Sequence, residues 1–435
     1  MNPTPATPPA DPPPPAANKS TLMIVWLVVF IDLLGFGIVL PVMPRQAEPY
    51  LVGHSAAAKG VIIGVLFSVF SLMQFIFSPV WGRVSDRIGR RPVLLISLGG
   101  SVVFYALYGL AVSLPAEYAN LALGLMFLSR LGAGIAGASV GTAAAVIADC
   151  TTPEKRAKGM ALIGIAFGAG FTFGPLIAYF GLGLFAQQPW GVGVLASLLS
   201  LVALGVAAKK FKETRKEGNL AGKELFSVSK TVEVLKMPAV GALVLIYFLA
   251  IFAFANFEAT LARLTDSAFR MSNDDNFLVF ATVGAILLCA GGAYRPLAKK
   301  HNEWMLLTAG VGMMVVGMFG LFVVGVVTGR PTDGGPFTAS WLKPLFYITM
   351  GVAVIGFAFV NPSVSAMVSK RAPADRQGEV QGVNQSFASL GRILGPFIGS
   401  VLFLSGRPGT LPYALAVIVL VGVLGKLPRM NRAAT

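Results

Sequence analysis

Polar residues are sparse and clustered in this chain, and they cut it into twelve long apolar runs. These are 22–44, 60–81, 92–113, 119–148, 158–183, 189–208, 237–263, 275–298, 303–328, 339–368, 376–405 and 409–427. A helix needs about 20 such residues to cross the hydrocarbon core of a bilayer. Each run is therefore predicted to be a transmembrane helix. Two carry weaker signals: 237–263 contains charge, and 275–298 ends on Arg295 and Pro296. The long polar stretch 209–236, KKFKETRKEGNLAGKELFSVSKTVEVLK, divides the runs six and six. It reads either as a solvated basic linker or as a short amphipathic helix at the membrane surface. The first twenty residues are rich in Pro and Ala with little to bury, and are expected to be disordered. No A-x-A-like cleavage site follows them, so the first run is read as a permanent helix.

The predicted organisation is a Pro-rich tail over 1–21, a six-helix bundle over 22–208, a linker over 209–236, a second bundle over 237–427 and a tail over 428–435. The fold class is an all-α membrane protein, with twelve transmembrane helices in two pseudo-symmetric six-helix bundles.

Composition agrees. The chain is 55% hydrophobic and 12% charged, with mean hydropathy +0.75, whereas soluble domains carry about 25% charged residues. The net charge of +15 is spread over short loops and not over one face, which excludes nucleic acid as the partner. With the N-terminus inside, 25 of the 34 Lys and Arg fall on the inner side and seven on the outer, with Arg130 and Arg392 inside runs. That bias predicts both termini in the cytoplasm, and the expected location is a bacterial inner (plasma) membrane. Cys150 and Cys289 imply no disulfide framework. There is no Walker A loop, no H-E-x-x-H, no G-x-S-x-G and no metal-ligand cluster. No enzyme, no metal and no cofactor beyond a proton gradient is expected, and the chain is expected to act as a monomer.

An ionisable group at the bilayer centre costs at least about 2.5–3.5 kcal/mol on insertion scales, so each is a functional candidate. Of 19 carboxylates, only Asp32 in the first run and Glu258 in the seventh fall well inside predicted spans. The matching cations are Arg130 in the fourth run and Arg392 in the eleventh. His54 and His301 fall in predicted loops, so a proton carrier within the bundle has to be a carboxylate. Burial disfavours a charged carboxylate and a nearby Arg favours it. A site that loses its counter-ion as conformation changes can take up a proton on one side and release it on the other. The same residues also read as structural ion pairs or helix-end anchors, and Glu258 lies close to the predicted end of its run.

Three further patterns stand out. Residues 31–44 read IDLLGFGIVLPVMP, where Pro41 is predicted to bend the outer end and Gly35 and Gly37 admit a second backbone. Residues 82–92, GRVSDRIGRRP, form a predicted Arg-rich loop between two membrane-length runs. The sequence GFTFGP at 170–175 recurs as GRILGP at 391–396, 221 residues later. This repeat supports two related halves rocking about a site near the midplane.

These stretches resemble the twelve-spanning drug/proton antiporters of the major facilitator superfamily, most closely the tetracycline/proton antiporter branch. Asp32 to Pro44 is similar to that family's first helix, D-x-x-G-x-G-x-x-x-P-x-x-P. Gly82, Asp86, Arg87, Gly89, Arg90 and Arg91 are similar to its loop 2–3 signature. Arg130, in LSRLGAGIAGA, resembles its helix-four arginine. Gly164 to Pro175 resembles its antiporter signature, which ends in G-x-x-x-G-P. The resemblance implies that Asp86 and the loop arginines, joined by Asp149, lock an inner gate, with Asp86 near the N-terminus of a helix in the other half. It implies that Arg130 couples protonation to substrate. It also implies that Gly164, Gly170, Gly174 and Pro175, with Gly391, Gly395 and Pro396 in the second half, shape pliable interfaces. Two departures matter, and one is that the ninth run, 303–328, has no acid beyond Glu303 at its start. The other is that Phe104 stands where tetracycline exporters carry an acid in span three, so tetracycline–metal recognition is not expected.

Aromatic and amide residues, among them Gln74, Phe104, Asn256, Asn361, Asn384 and Gln385, are candidates to line a central cavity for an amphipathic small molecule. The expected activity is export of such a substrate in exchange for protons by alternating access. Proton symport, facilitated diffusion of a metabolite and a transport-inactive membrane sensor remain the alternatives.

Overall fold

The computed structural model describes residues 19–151, 153–215, 228–237, 240–328, 341–373, 376–405 and 410–432. Among these residues there is no strand. Twelve helical spans are long and apolar enough to cross a bilayer. They are Lys19–Val39, Ala56–Ile88, Arg90–Ser113, a fourth made of three pieces, Pro153–Leu182, Gly191–Lys210, Val240–Phe269, Asn273–Lys300, Glu303–Thr328, Leu342–Arg371, Gln377–Ser405 and Leu411–Arg432. We number them spans one to twelve. Large apolar side chains such as Val202, Phe319 and Ile418 point away from the bundle, as lipid-facing positions must.

The structure corrects the sequence reading in four places. All of 82–92 except Gly89 is helical, so the predicted loop is a one-residue joint between spans two and three. Span one stops at Val39; the turn after it holds Pro41, and a separate short helix, Met43–Ala47, follows. Pro41 has no N–H to carry the helix on. Span seven runs to Phe269, six residues past its predicted end, which sets Glu258 well inside it. Span four divides into Ala119–Ala136, a 3₁₀ turn Gly137–Ser139 and Val140–Asp149, a break that its apolar pattern does not signal. The linker contains a helix, Val228–Lys236. Its Val234 is fully buried, and its Glu233 accepts from Arg376 at 3.0 Å. It thus docks on the second half. Residues 1–18 and 216–227, assigned to the tail and linker, lie outside the described residues.

Each half packs its fifth helix on its first through paired glycines. A Cβ at Gly174 would lie 2.9 Å from Leu34 O and from the carbonyl carbon of Gly37, and one at Gly170 would lie 2.7 Å from Leu33 Cβ. In the second half, a Cβ at Gly391 would lie 2.9 Å from Phe248 O, and one at Gly395 would lie 2.6 Å from Phe252 O. Backbone thus lies on backbone in both pairs, close packing that small residues permit. Gly164 lies outside the residues whose surroundings are described.

We call the end of the bundle that carries Lys19, Arg432 and the helix Val228–Lys236 the base, and the opposite end the top. At the top the halves touch. Arg45 donates to Asp266 Oδ1 (2.5 Å), Met271 O (2.9 Å) and Asn273 Oδ1 (2.9 Å) across the divide. In span two, a Cβ at Gly60 would lie 2.9 Å from Ser400 O, and one at Gly64 would lie 3.0 Å from Phe397 Cα. Ser68 donates to Ile393 O at 2.6 Å. At the base the same faces part. Gly82 follows Gly64 by about five whole turns, yet a Cβ there meets nothing within 4 Å, nor does one at Gly382 of span eleven. Among the described residues, spans two and eleven meet at the top and part at the base.

Candidate functional site

Two polar clusters lie within the spans, one in each half. In the first, Asp32 sits midway along span one and is almost fully buried. Its Oδ1 accepts from Ser101 Oγ of span three and its Oδ2 from Ser139 Oγ in the 3₁₀ turn of span four, both at 3.0 Å. Tyr105 Oη lies 3.5 Å from its backbone carbonyl. A carboxylate that accepts two hydroxyls has its charge stabilised without a cation.

Arg130 is only 2% exposed and does not pair with Asp32. Its guanidinium stacks on Phe70 (4.4 Å to the ring centroid) and Phe36 (5.4 Å), contacts worth about 2 kcal/mol when desolvated. Its Nε points to Leu66 O at 3.5 Å, and its Nη1 is buried without a partner. An unmatched donor on a buried cation is costly. It is the chemistry of a group that accepts an anion or a carbonyl.

The second cluster joins spans seven, ten and eleven. Tyr247 Oη donates to Asn361 Oδ1 at 2.7 Å. Arg392 interacts electrostatically with both Tyr247 and Glu258, without forming a direct ion pair with Glu258. The four intramembrane charges are thus brought into two clusters, but neither forms the simple ion pair that its composition allows.

The remaining cavity candidates scatter. Gln74 donates to Gly137 O at 3.1 Å and so serves the break in span four. Phe104 lies flat against Gly132. Asn361 and Gln385 are exposed. Asn256 is 1% exposed and donates to Pro412 O, which places it between spans seven and twelve. Asn384 is fully buried with both amide atoms unpartnered.

At the base, Arg90 organises the joint between spans two and three. It pairs with Asp86 (2.6 Å) and Asp149 (3.1 Å) and donates to Ser85 Oγ at 2.6 Å. Asp86 is half exposed and its partner belongs to its own half, not to a helix end across the divide. Arg91 donates to Ala208 O at 2.8 Å. Gly89 turns the chain at φ +109°, a conformation open to glycine and strained for other residues.

Glu213, which no motif marks, completes this joint. Its carboxylate accepts from the backbone N–H groups of Arg90 (2.9 Å) and Arg91 (3.1 Å), the first residues of span three, and from Thr214 and Arg215. Arg215 in turn donates to the carbonyls of Asp86 and Arg87 that end span two. Partial burial works to raise the Glu213 pKa, but the four backbone donors outweigh it and hold the carboxyl below the usual range. A depressed folded-state pKa means that this cap stabilises fully above the unfolded value, about 4.3, and is lost as pH falls through the lower folded value. Glu213→Ala is expected to cost roughly 0.5–2 kcal/mol, the usual loss of a helix cap. Thermal unfolding of the purified protein should show a deficit at neutral pH that shrinks in acid.

The sequence profile of the Major Facilitator Superfamily matches residues 25–396 and 334–433. The chain belongs to the major facilitator superfamily. It is 29% identical over 393 residues to the tetracycline resistance protein, class E, of Escherichia coli, covering 89% of each chain. It is 26% identical over 439 residues to major facilitator superfamily domain-containing protein 10 of Mus musculus, covering 91% of this chain and 90% of that one. Among solved structures it superposes on the D-xylose-proton symporter with a TM-score of 0.76 at 15% identity, over 94% of this chain and 96% of that one. The human organic anion transporter MFSD10 (TETRAN) gives 0.63 at 24% identity, over 94% and 99%. The protein is therefore an integral, multi-pass secondary transporter of a small-molecule substrate, and not an enzyme. The major facilitator fold explains why each half repeats the same first-to-fifth helix packing.

Proposed function

We propose that this transporter exports an amphipathic small molecule in exchange for protons, as a monomer in a bacterial inner membrane with its base in the cytoplasm. The observation that carries this reading is Asp32. It is a carboxylate at mid-depth, held by two hydroxyls and no cation, so it can exist charged or protonated without breaking an ion pair. Relatives named as tetracycline resistance proteins support an exporter, and the Lys and Arg bias supports the orientation. In this reading the arrangement, with spans two and eleven parted at the base, is the inward-facing state, Asp32 and Glu258 carry the protons, and Asp86, Arg90 and Asp149 belong to the inner gate.

A second reading has its own support. Arg130 keeps an unpartnered donor in the first half, and a relative of known structure is named an organic anion transporter. Both favour an anionic substrate head group seated against Arg130.

One assay separates the readings. Inverted vesicles with a preset pH gradient, acid inside, are given amphipathic cations, anions and neutral compounds while a fluorescent dye follows the gradient. Proton export driven by one class of compound supports antiport and identifies the class, and a response to anions alone that disappears in Arg130→Gln supports the second reading. Uptake of a compound that leaves the gradient untouched overturns proton coupling.

A further inference from the structure

The break in span four is held on all sides. Three consecutive carbonyls at the 3₁₀ turn each accept a hydrogen bond from a side chain of another span. Trp81 Nε1 donates to Ile135 O at 2.7 Å, Ser97 Oγ to Ala136 O at 2.6 Å and Gln74 Nε2 to Gly137 O at 3.1 Å. Span two follows the break closely. A Cβ at Gly134 would lie 2.9 Å from Met73 Cβ, and one at Gly141 would lie 3.2 Å from Ser78 Oγ. A break whose carbonyls are held by side chains of neighbouring spans is a built joint.

Two links lead out of this joint. Its last residue, Ser139, donates to Asp32. Beyond it, Val140–Asp149 is an unbroken helix of ten residues, about 15 Å long. Its final residue, Asp149, pairs with Arg90 at the joint between spans two and three. A rigid element therefore has one end on the buried carboxylate and the other on the charged cluster at the base.

We propose that Ser139 is a positioning residue that couples the protonation state of Asp32 to the opening of the base, with Val140–Asp149 as the lever. This rests on the reading of Asp32 as a proton carrier. Charged Asp32 takes a charge-assisted bond from Ser139, roughly twice as strong as a neutral one, and ties the joint to span one. Proton uptake turns one carboxylate oxygen into a donor and weakens that tie. The lever then pivots at Gly137 and shifts Asp149 against Arg90. The other groups facing Asp32 are Ser101 and Tyr105 of span three, with Arg130 acting through Tyr105. Among the described side chains of spans five and six, the ionisable ones, Tyr179, Lys209 and Lys210, stand near the helix ends.

The test uses the full chain in lipid nanodiscs, with Cys150→Ser and Cys289→Ser and spin labels on Lys210→Cys and Lys300→Cys, both exposed at the base. Pulsed EPR gives the distance between the halves as pH is varied. The wild-type background should change its distance with pH. Ser139→Val should lose that change and Ser139→Thr, the same shape with a hydroxyl, should keep it. Ser101→Ala, which removes the other hydroxyl from the same carboxylate, should also keep it. The proposal is overturned if Ser139→Val responds like wild type, or if Ser101→Ala loses the response as completely. Asp32→Asn tells the two failures apart. A variant that still responds to pH like wild type overturns the proton-carrier reading itself, and the lever falls with it.

Discussion

Asp32→Asn is expected to abolish substrate-driven proton movement while leaving substrate binding intact. The geometry favours a clean result. Asparagine has the shape of aspartate, its oxygen can accept from Ser101 as Oδ1 does now, and its amide can donate to Ser139 Oγ, which has spare acceptor capacity. What is lost is the ability to alternate between charged and neutral forms. Moving that charge in the membrane involves about 2.5–3.5 kcal/mol, equivalent to roughly 100-fold, so proton flux in inverted vesicles should fall by at least about that factor. Binding measured by equilibrium dialysis should stay within about threefold, since no lost contact approaches 1.4 kcal/mol per tenfold. Equal proton flux in variant and wild type would remove Asp32 from the mechanism and transfer the role to Glu258.

The second large effect concerns packing. Gly174→Val places three heavy atoms where even a Cβ would stand 2.9 Å from Leu34 O and 3.0 Å from Gly37 Cα. Neither neighbour is a side chain that can rotate away, so span five has to retreat from span one. Overpacking against movable neighbours costs about 1–3 kcal/mol, and rigid backbone puts this substitution at or above the upper end. The expected outcome is a loss of folded protein in membranes, read by fluorescence-detected size exclusion. Gly205→Val serves as the control, because a Cβ at Gly205 meets nothing within 4 Å and the substitution should leave the yield unchanged. Gly395→Val should fail as Gly174→Val does, since its Cβ would stand 2.6 Å from Phe252 O.

Much of this was legible in the linear chain. Hydrophobic runs of membrane length report twelve spans directly, because in hydrocarbon a helix must satisfy its own backbone polar groups and cover itself with apolar side chains. The repeat around Gly170 and Gly391 exposed the relation between the halves because glycine at a helix interface is a local requirement of close approach. Asp32, Glu258, Arg130 and Arg392 stood out for the same reason that they are rare: each costs free energy in a bilayer. The arginine-rich motif was visible, but its form was not. Its residues look like a loop because they are charged, yet all but Gly89 are helical, and Glu213, 124 positions past Gly89, accepts from the first two N–H groups of span three.

Sequence alone therefore determined what is repeated and what is rare: the twelve spans, their division six and six, the family motifs and the few charges inside the membrane. Tertiary structure alone decided which groups meet. It gave Asp32 two serines in place of an arginine, left Arg130 stacked on Phe70 with an open donor, broke span four at Gly137 and set Arg45 against Asp266 at the top. The division has a physical cause. Burial and helix formation are averaged over many residues and leave a periodic record in the chain. A hydrogen bond between distant positions depends on a single donor and acceptor at about 3 Å, and only the packed helices bring that pair together.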